Sequence, residues 1–403
     1  MSILFGHPTG NPNSHQAALA HFEAGRLEAF CVPWMPSSLT LHLLNYLGPL
    51  RPMTRRLSRR HFPSLDKASK VQGRVAEMGR LLTRAFGRGN ERLSYEANDW
   101  LMRTMRRECR RSAVTTVHAY EDCSLLQFFE AKRLGKACIY DMPIGYYSAF
   151  EKTQAELTRI YADWLPTGGL LSSRYVRPKQ KRQEMSLADL VLVPSTFVAN
   201  TIREFHPDKR IEIAPYGTDS AVGLYKMNRH PQDVITFLFV GQCSLRKGIP
   251  LLLEAWRDAG LKHARLQLVG SWQLAEAKQK SLPPRAEWIG PVSKDRLRDY
   301  YDRADIFVLP TYFEGRALVI GEALSSGLPV LTTPASGAED LIDDTCGRLV
   351  PTGNFDALVE SLRWFDKNRE LFPTLSRTAR ARAEGCTWEN YRRRVSEAVT
   401  PFV

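Results

Sequence analysis

Residues 239–250 read FVGQCSLRKGIP, a run that passes from apolar to polar and back to apolar, with a glycine at each change. The apolar start is typical of a buried strand, Gly241 permits a sharp turn, and Gly248 lets a backbone approach a ligand closely. Pro250 fits the first turn of a helix, where the missing N–H costs little. The stretch therefore predicts a strand, a tight loop and a helix, the unit from which parallel α/β sheets are built.

The start of that helix is also a possible anion site. Its free N–H groups and positive dipole end suit phosphate, and Arg246 and Lys247 place two cations beside it. The loop matches neither GxxxxGK[ST] nor GxGxxG. An ordinary turn carrying two solvated charges is the alternative interpretation.

The same alternation of apolar runs and amphipathic stretches extends in both directions along the chain. The predicted strands are 3–8, 27–32, 114–118, 137–141, 190–194, 211–215, 235–241, 265–270, 306–309 and 329–332. A polar stretch at 226–233 is typical of a linker. We predict an α/β protein of two facing, doubly wound Rossmann-like domains, with the carboxyl ends of the strands lining a cleft between them.

The composition is that of a globular protein with an excess of positive charge. The 403 residues are 43% hydrophobic and 25% charged, and the formal net charge is +13. Seven cysteines form no CxxC pair, which disfavours a disulfide framework or a zinc ribbon and favours a reducing cytosol. No apolar run reaches the roughly 18–20 residues of a membrane span, and the first residues read as a strand rather than a signal peptide. We therefore expect a cytoplasmic protein.

A second stretch, residues 310–323, reads PTYFEGRALVIGEA and holds two glutamates. Glu314 falls in the predicted loop after strand 306–309, and Glu322 lies about two turns into the next helix, on an apolar stretch. A carboxylate there is costly unless it accepts hydrogen bonds, and sugar hydroxyls are good donors. The structural alternative for Glu314 is that it compensates the helix dipole in the first turn. The structural alternative for Glu322 is that it is a buried partner of an arginine or of backbone groups.

These glutamates resemble the Glu-x7-Glu signature of retaining glycosyltransferase family four, the group 1 glycosyltransferases. As in that family, the second glutamate is followed by Ala323, Gly327 and Pro329. Further segments resemble family motifs in order and spacing, at 188–195, 213–219, 337–340 and 347–351. The likeness covers nearly the whole chain and is strongest from residue 184 onward.

The resemblance implies the GT-B fold. Residues 1–222 would form an acceptor-binding domain that carries a basic helical insertion at about 35–112. Residues 223–386 would form the nucleotide-sugar-binding domain, and a helix within 387–403 would cross back to the first domain.

The resemblance also implies roles for single residues. Glu314 would approach the donor sugar, Glu322 would bind the ribose hydroxyls, and Lys247 would neutralise the donor diphosphate. The implied donor-binding residues are Gly241, Arg246, Lys247, Leu318, Val319 and Glu322, with Leu318 and Val319 acting through their backbone N–H groups. The chain departs from the family at Gln242, where arginine is usual, and at Arg316, within the usual Gly-Phe-Gly.

In the first domain, the resemblance implies a catalytic role for His118, at the end of a predicted strand, near the donor sugar; a structural histidine is the alternative. Gly10, Asn11 and Asn13 lie in the first predicted turn and are candidates to contact phosphate or acceptor, or to form a plain Asx turn. Asp141 follows another predicted strand and either binds acceptor or caps a helix.

The implied activity is transfer of a sugar, with retention, from a nucleotide-diphosphate sugar to an acceptor hydroxyl, in polysaccharide or glycolipid biosynthesis. The acceptor would be lipid-linked or a glycan. No Asp-x-Asp pair ends a strand, so no metal and no other cofactor is expected. The alternatives are a sugar-nucleotide epimerase, a phosphorylase-like enzyme, and an inactive GT-B adaptor at a membrane surface.

Most of the excess charge lies in one stretch, because residues 51–111 hold 17 basic and 6 acidic side chains. A leucine-rich segment next to arginines, at 42–60, fits an anionic membrane surface, with the protein peripheral at the inner face. A solvated face is the equal alternative. Nucleic-acid binding is disfavoured, because the stretch lacks regular aromatic interleaving and matches no known reader motif.

Overall fold

The computed structural model describes residues 2–46, 54, 57–58, 60–73, 77, 91–166, 177–218 and 234–403. Its strands form two parallel sheets, one in each half of the chain. The first sheet contains β1 Ser2–Gly6, β2 Leu27–Val32, β3 Lys70–Gln72, β4 Val114–Tyr120, β5 Ala137–Asp141, β6 Leu190–Val193 and β7 Ile211–Ile213. The second contains β8 Ile235–Val240, β9 Ala264–Val269, β10 Ala286–Gly290, β11 Ile306–Leu309, β12 Val330–Thr332 and β13 Gly347–Leu349.

Both sheets are doubly wound, which confirms the predicted α/β architecture. The strand order is β3-β2-β1-β4-β5-β6-β7 in the first sheet and β10-β9-β8-β11-β12-β13 in the second. The order reverses between β1 and β4 and between β8 and β11, and ligands bind at such switch points in open α/β sheets. We call residues 7–11 and 121–124 the N-terminal switch loops, and residues 241–248 and 310–317 the C-terminal switch loops.

Helices connect the strands and cover the sheets. They are α1 Pro12–Glu23, α2 Ser38–Tyr46, α3 Glu91–Glu108, α4 Leu125–Arg133, α5 Tyr147–Ile160, α6 Pro178–Leu187, α7 Thr196–Arg203, α8 Ile249–Ala259, α9 Glu276–Lys280, α10 Lys294–Arg303, α11 Leu318–Ser325, α12 Phe355–Lys367, α13 Phe372–Glu384 and α14 Trp388–Val399. Each sheet has its own apolar core, because the central strands are buried along their whole length.

Some strand limits differ from the sequence prediction. β4 continues to Tyr120 rather than ending at residue 118, since Ala119 and Tyr120 are also buried and paired with β5. Strands β3, β10 and β13 were not predicted, because they are short edge strands without a continuous apolar run.

The two halves exchange helices. From the C-terminal end, α14 places Tyr391, Val395 and Val399 in the core of the first sheet. Conversely, α5 begins against that core, but Leu157 near its end and Trp164 just beyond it are buried in the core of the second sheet. Each core is therefore completed by a segment from the other half.

Part of the basic stretch lies outside the described residues, including Arg51, Arg55, Arg56 and Arg59, and so does the predicted linker at 226–233. Of the described arginines, those at the end of α3 pair with carboxylates: Arg106 and Arg110 reach Glu130, while Arg107 and Arg111 reach Glu108. Within the described parts of the chain, no helix has both the length and the apolar character to cross a membrane.

Candidate functional site

The C-terminal switch loops lie side by side because β8 and β11 are neighbours. The carbonyl of Arg246 accepts two hydrogen bonds from the other loop, from the Tyr312 N–H at 2.8 Å and the Thr311 hydroxyl at 3.0 Å. Gly248 has φ +74° and packs so closely that a Cβ there would lie 2.0 Å from the Pro310 carbonyl oxygen. Glycine is therefore required where the loops meet.

The two loops bring Glu314, Arg246 and Lys247 together. Oε1 of Glu314 lies 2.5 Å from the Arg246 guanidinium and 2.5 Å from the Lys247 ammonium. Arg246 also donates to the Phe313 carbonyl at 2.7 Å. Burial lowers the pKa of Lys247, and Glu314 opposes that shift. A carboxylate that is only 9% exposed thus holds two cations in fixed positions.

The helix after Glu314 offers backbone donors next to these cations. α11 begins at Leu318, and its N-cap residue, Ala317, supplies no side-chain cap. The amides of Leu318 and Val319 lie in the first turn, where N–H groups lack intrahelical partners. The start of α11 follows Glu314 by four residues. Gly241 lies directly after β8, and its N–H donates to the Val269 carbonyl at 2.9 Å.

Glu322 lies on α11, half-buried, and accepts a hydrogen bond from the hydroxyl of Tyr301 at 2.9 Å. Tyr301 is buried on α10 and was not anticipated from the sequence, because a tyrosine on a charged helix gives no sign of its partner. The bond fixes one carboxylate oxygen, Oε2. A bound diol would meet Glu322 in a defined orientation.

Arg316 stands at the phenylalanine position of the Gly-Phe-Gly motif in the resemblance, and its side chain contacts residues of the second half of the chain. Its guanidinium pairs with Asp340 through two contacts, at 2.8 and 3.2 Å, and also donates to the Gly337 carbonyl at 3.1 Å. The side chain braces the segment after β12 against the start of α11. Gln242 is exposed.

The first half of the chain closes over the Glu314 loop. A Cβ on Gly315 would lie 1.7 Å from the Pro143 carbonyl oxygen, so the two halves are in backbone contact there. Ser195 donates from its hydroxyl to the Gly315 carbonyl at 2.6 Å, and the Phe197 N–H donates to Glu339 at 2.7 Å. The loop is thereby shielded from water on this side.

Phenylalanines reinforce the same contact. Phe313, next to Glu314, is buried and meets Phe150 of α5 and Phe197 of α7 edge-on, with ring centroids 5.3 Å apart in both pairs. Burial of these aromatic rings therefore stabilises the contact between the two halves next to the charged residues.

The first N-terminal switch loop is organised by His7, which the sequence analysis did not single out. Its Nδ1 accepts hydrogen bonds from the Gly10 N–H at 2.9 Å and the Thr9 N–H at 3.1 Å. Burial is the main cause that lowers the pKa of His7 to about 3, so the ring is neutral and its proton resides on Nε2. The only sequence signal is a polar residue directly after the apolar run of β1.

Asn11 and Asn13 belong to the start of α1. Asn11 is the N-cap: its Oδ1 accepts from the Ser14 N–H at 2.8 Å, while its own N–H donates to the Ser14 hydroxyl at 2.9 Å. Its side chain thus fits the structural alternative, a capping box. Asn13 is half-buried in the first turn, and Gly10 adjoins the cap.

His118 lies inside β4 and has no exposed surface. Its Nδ1 is 2.9 Å from Nε2 of His21, and its Nε2 is 3.5 Å from the Asp141 carboxylate. Burial lowers the pKa of His118 to about 3. The histidine predicted at a strand end is therefore a buried, neutral residue below the switch loop, and its role at a donor sugar stays a prediction.

Asp141 ends β5 and caps no described helix, since α5 begins six residues later with Tyr146 as its N-cap. Burial raises the pKa of its carboxyl to about 7. Nearby, the hydroxyls of Tyr120, Tyr216 and Tyr391 are buried, and the Tyr120 hydroxyl opposes the rise in the pKa of Asp141. These groups make a weakly charged polar cluster. Nowhere in the described ranges do three or more His, Cys, Asp or Glu residues form a metal-binding group.

Parts of the chain are similar in sequence to known proteins. Residues 234–368 match the family model described as "Glycosyl transferases group 1". Sulfoquinovosyl transferase SQD2 of Arabidopsis thaliana is 28% identical over 220 residues, which are 50% of this chain and 42% of that protein. The chain spans about half the length of the curated relatives it matches.

Solved structures share the whole fold at low identity. Sucrose-phosphate synthase from Thermosynechococcus elongatus superimposes with a TM-score of 0.65 at 17% identity, covering 100% of this chain and 98% of that one. HepE of Anabaena, solved in complex with UDP and glucose, gives a TM-score of 0.58 at 15% identity, with full coverage of both chains.

The similar solved structures show that the chain has the GT-B fold. The match to the family model lies within the second half of the chain. The matched segment contains both C-terminal switch loops, together with Glu314, Glu322, Arg246 and Lys247. Residues 234–368 are therefore similar in sequence to a group 1 glycosyl transferase domain.

Proposed function

We propose that the chain is a retaining glycosyltransferase that moves a sugar from a nucleotide-diphosphate sugar to an acceptor hydroxyl, in polysaccharide or glycolipid biosynthesis. One observation carries the proposal: Glu314, Arg246 and Lys247 meet within 2.5 Å at a switch point, beside the start of α11. Two cations and a helix N-terminus suit a diphosphate, and a carboxylate beside them suits a sugar.

The donor diphosphate would bind where Arg246 and Lys247 converge. In this structure Glu314 neutralises both cations, and a diphosphate would compete with it for them. Glu314 would then face the sugar hydroxyls. Glu322, held by Tyr301, would receive the ribose diol. The HepE complex with UDP and glucose supports a donor of this class.

Catalysis would rest on stabilising the departing diphosphate. Negative charge develops on it as the sugar–phosphate bond breaks, and Lys247, Arg246 and the amides of Leu318 and Val319 are already in place to receive that charge. The phosphate oxygen itself would take the proton of the acceptor hydroxyl, which allows attack on the same face. The closed contact between Gly315 and Pro143 would limit hydrolysis of the donor by water.

The acceptor, a glycan or a lipid-linked sugar, would enter from the first domain. The candidates are Gly10 in the first switch loop, Asn13 in the first turn of α1 and Asp141 at the end of β5. With the pKa of Asp141 near 7, the carboxyl is able to donate or to accept a hydrogen bond at neutral pH. No metal ion takes part in this scheme, so a chelator should leave the rate unchanged.

A panel of nucleotide sugars tests the proposal. The true donor should raise the melting temperature by mass action, and it should be converted to nucleoside diphosphate only when an acceptor is present. Glu314→Ala should abolish transfer but retain binding of the nucleoside diphosphate. Asp302→Ala, which removes a half-buried carboxylate on α10, is the control.

Each alternative predicts a different result. A sugar-nucleotide epimerase would convert the donor with no acceptor present. A phosphorylase-like enzyme would use inorganic phosphate as the second substrate. An inactive adaptor would bind donors without turnover. Unchanged turnover in Glu314→Ala would overturn the assignment.

A further inference from the structure

Glu184 is a buried carboxylate that faces the start of helix α4. It lies on α6 and has no exposed surface. Its Oε1 accepts hydrogen bonds from the Ser124 N–H at 2.9 Å and the Leu125 N–H at 3.2 Å. Its Oε2 accepts one from the Asp122 N–H at 3.0 Å. Because Ser124 is the N-cap of α4 and Leu125 is its first residue, the carboxylate takes the position of an anion bound at a helix N-terminus.

Two side-chain donors also bond to Glu184. The Tyr140 hydroxyl donates to Oε2 and the Gln180 amide donates to Oε1, both at 2.9 Å. Five donors therefore converge on two oxygens. A carboxylate meets them all, whereas a glutamine at this position would turn an NH2 group, which accepts no hydrogen bond, toward some of them.

The same face of α6 fixes the loop between β4 and α4. Lys181 is buried and pairs with Glu121 at 2.6 Å and with Asp122 at 2.8 Å. Asp122 has φ +69°, a left-handed conformation that costs energy for a residue other than glycine. Its N–H bonds to Glu184, and its carbonyl accepts from Gln180 at 3.0 Å. A strained backbone of this kind persists where its surroundings over-determine it, and such residues cluster at functional sites.

This loop is joined to Asp141, the acceptor candidate at the end of β5. The Glu121 N–H donates to the Asp141 carbonyl at 3.1 Å. Tyr140, the residue before Asp141, is bonded through its hydroxyl to Glu184. Glu184 therefore restrains Asp141 by two routes, one through the switch loop and one through β5.

The equivalent helix of the second half is arranged differently. α4 follows β4 and α11 follows β11, and each of these strands lies at the switch point of its sheet. The N-cap of α11, Ala317, supplies no side-chain cap, and the proposed function assigns that helix start to the donor diphosphate. At α4 the anion is already part of the chain. A phosphate there would have to displace Glu184 from its five hydrogen bonds.

We propose that Glu184 is a built-in anion and a positioning residue for the acceptor. It closes the start of α4 to phosphate, and it holds the switch loop and Asp141 in the geometry that receives an uncharged acceptor hydroxyl. Because Glu184 has no exposed surface, it acts through Asp141 and the loop. The inference rests on the proposed function, since the acceptor is the second substrate of that reaction.

Chemical rescue tests the proposal. Glu184→Ala removes a CH2–COO⁻ group, which acetate can replace in the cavity that is left. With the donor and acceptor that the unmodified chain turns over, Glu184→Ala should raise KM for the acceptor about 10-fold and leave KM for the donor unchanged, because buried N–H groups lose their acceptor. Sodium acetate at constant ionic strength should restore the acceptor KM. Acetamide, which has the same shape without the charge, should not.

Two further variants separate positioning from stability. Asp305→Ala is the matched control, because Asp305 is a buried carboxylate of the second half that accepts the Thr236 N–H at 2.7 Å. It should lower the melting temperature without a selective change in the acceptor KM. Tyr140→Phe removes only one of the five donors and should raise the acceptor KM about threefold. This variant decides the question if Glu184→Ala does not fold, since an unchanged acceptor KM in Tyr140→Phe would overturn the proposal.

Hydrogen exchange gives a readout that does not depend on sugar transfer. The peptide that spans residues 121–125 should exchange faster in Glu184→Ala and should be protected again by acetate. Exchange that acetate does not slow would overturn the proposal. So would equal increases in the two KM values, or a rescue that acetamide reproduces. A lack of turnover by the unmodified chain with every donor would overturn the proposed function instead, and the two failures are therefore distinguishable.

Discussion

The two switch points have the same topology but opposite chemistry. The C-terminal switch loops bring a glutamate, an arginine and a lysine into direct contact. Near the N-terminal switch loops, His7 and His118 are neutral because burial lowers the pKa of each to about 3, and the pKa of Asp141 is raised to about 7. The difference fits the proposed function, in which the first site binds a charged diphosphate and the second binds uncharged hydroxyls.

The largest expected effect comes from removing a charge at the C-terminal site. Lys247→Met should lower kcat/KM about 10³-fold, or about 4 kcal/mol, because the departing diphosphate loses a fixed cation. Lys247→Arg, which keeps the charge, should lose much less. Steady-state kinetics and calorimetry with the nucleoside diphosphate would measure both. Equal losses in the two variants would show that charge is not the cause.

The next effect concerns stability at the N-terminal site. Because the folded-state pKa of Asp141 is about 7, above its ordinary value of 3.8, the protonated carboxyl favours folding at acid pH, and this contribution is lost as the pH rises through 7. As the pH rises from 5 to 8, Asp141→Asn should therefore gain stability relative to the unmodified chain, by at most about 3 kcal/mol. Urea unfolding at both pH values tests this. A difference independent of pH would contradict the raised pKa.

A smaller effect is expected from the neutral histidine. His7→Asn keeps an acceptor near the Nδ1 position and should preserve the loop of Thr9 and Gly10, whereas His7→Gln moves the acceptor outward and should release it. We expect His7→Gln to raise KM for the acceptor about tenfold, or about 1.4 kcal/mol, with KM for the donor unchanged. A change confined to the KM for the donor would show that His7 affects donor binding and not acceptor binding.

The smallest effect concerns the tyrosine behind Glu322. Tyr301→Phe removes one hydrogen bond, worth about 1 kcal/mol, and should weaken donor binding about fivefold without affecting the acceptor. Competition binding with the nucleoside diphosphate provides the measurement. Unchanged affinity would show that Glu322 needs no orientation by Tyr301.

The sequence predicts the central parts of the molecule better than its edges. Continuous apolar runs identify strands such as β8 and β11, whereas the three-residue β3 and β13 have no such run. The family resemblance placed Glu314, Lys247 and Arg246 in one site, and the structure brings the three side chains into contact. His118 could not be placed correctly, since the buried residues after it gave no sign of where β4 ends.

Contacts between the halves were beyond prediction for a different reason. An amphipathic pattern shows that α5 buries one face, but it does not show that Trp164 lies in the second core while Tyr147 lies in the first. The same holds for Tyr301, whose partner is set by the packing of α10 on α11.

The exchange of helices has a consequence for how the molecule unfolds. A C-terminal half cut at residue 234 would lack Leu157, Tyr161 and Trp164, and a first half without α14 would lack Tyr391, Val395 and Val399. Each fragment would expose an apolar groove that the whole chain covers. We therefore expect a single calorimetric transition rather than two, so that a lesion in either half lowers the stability of both.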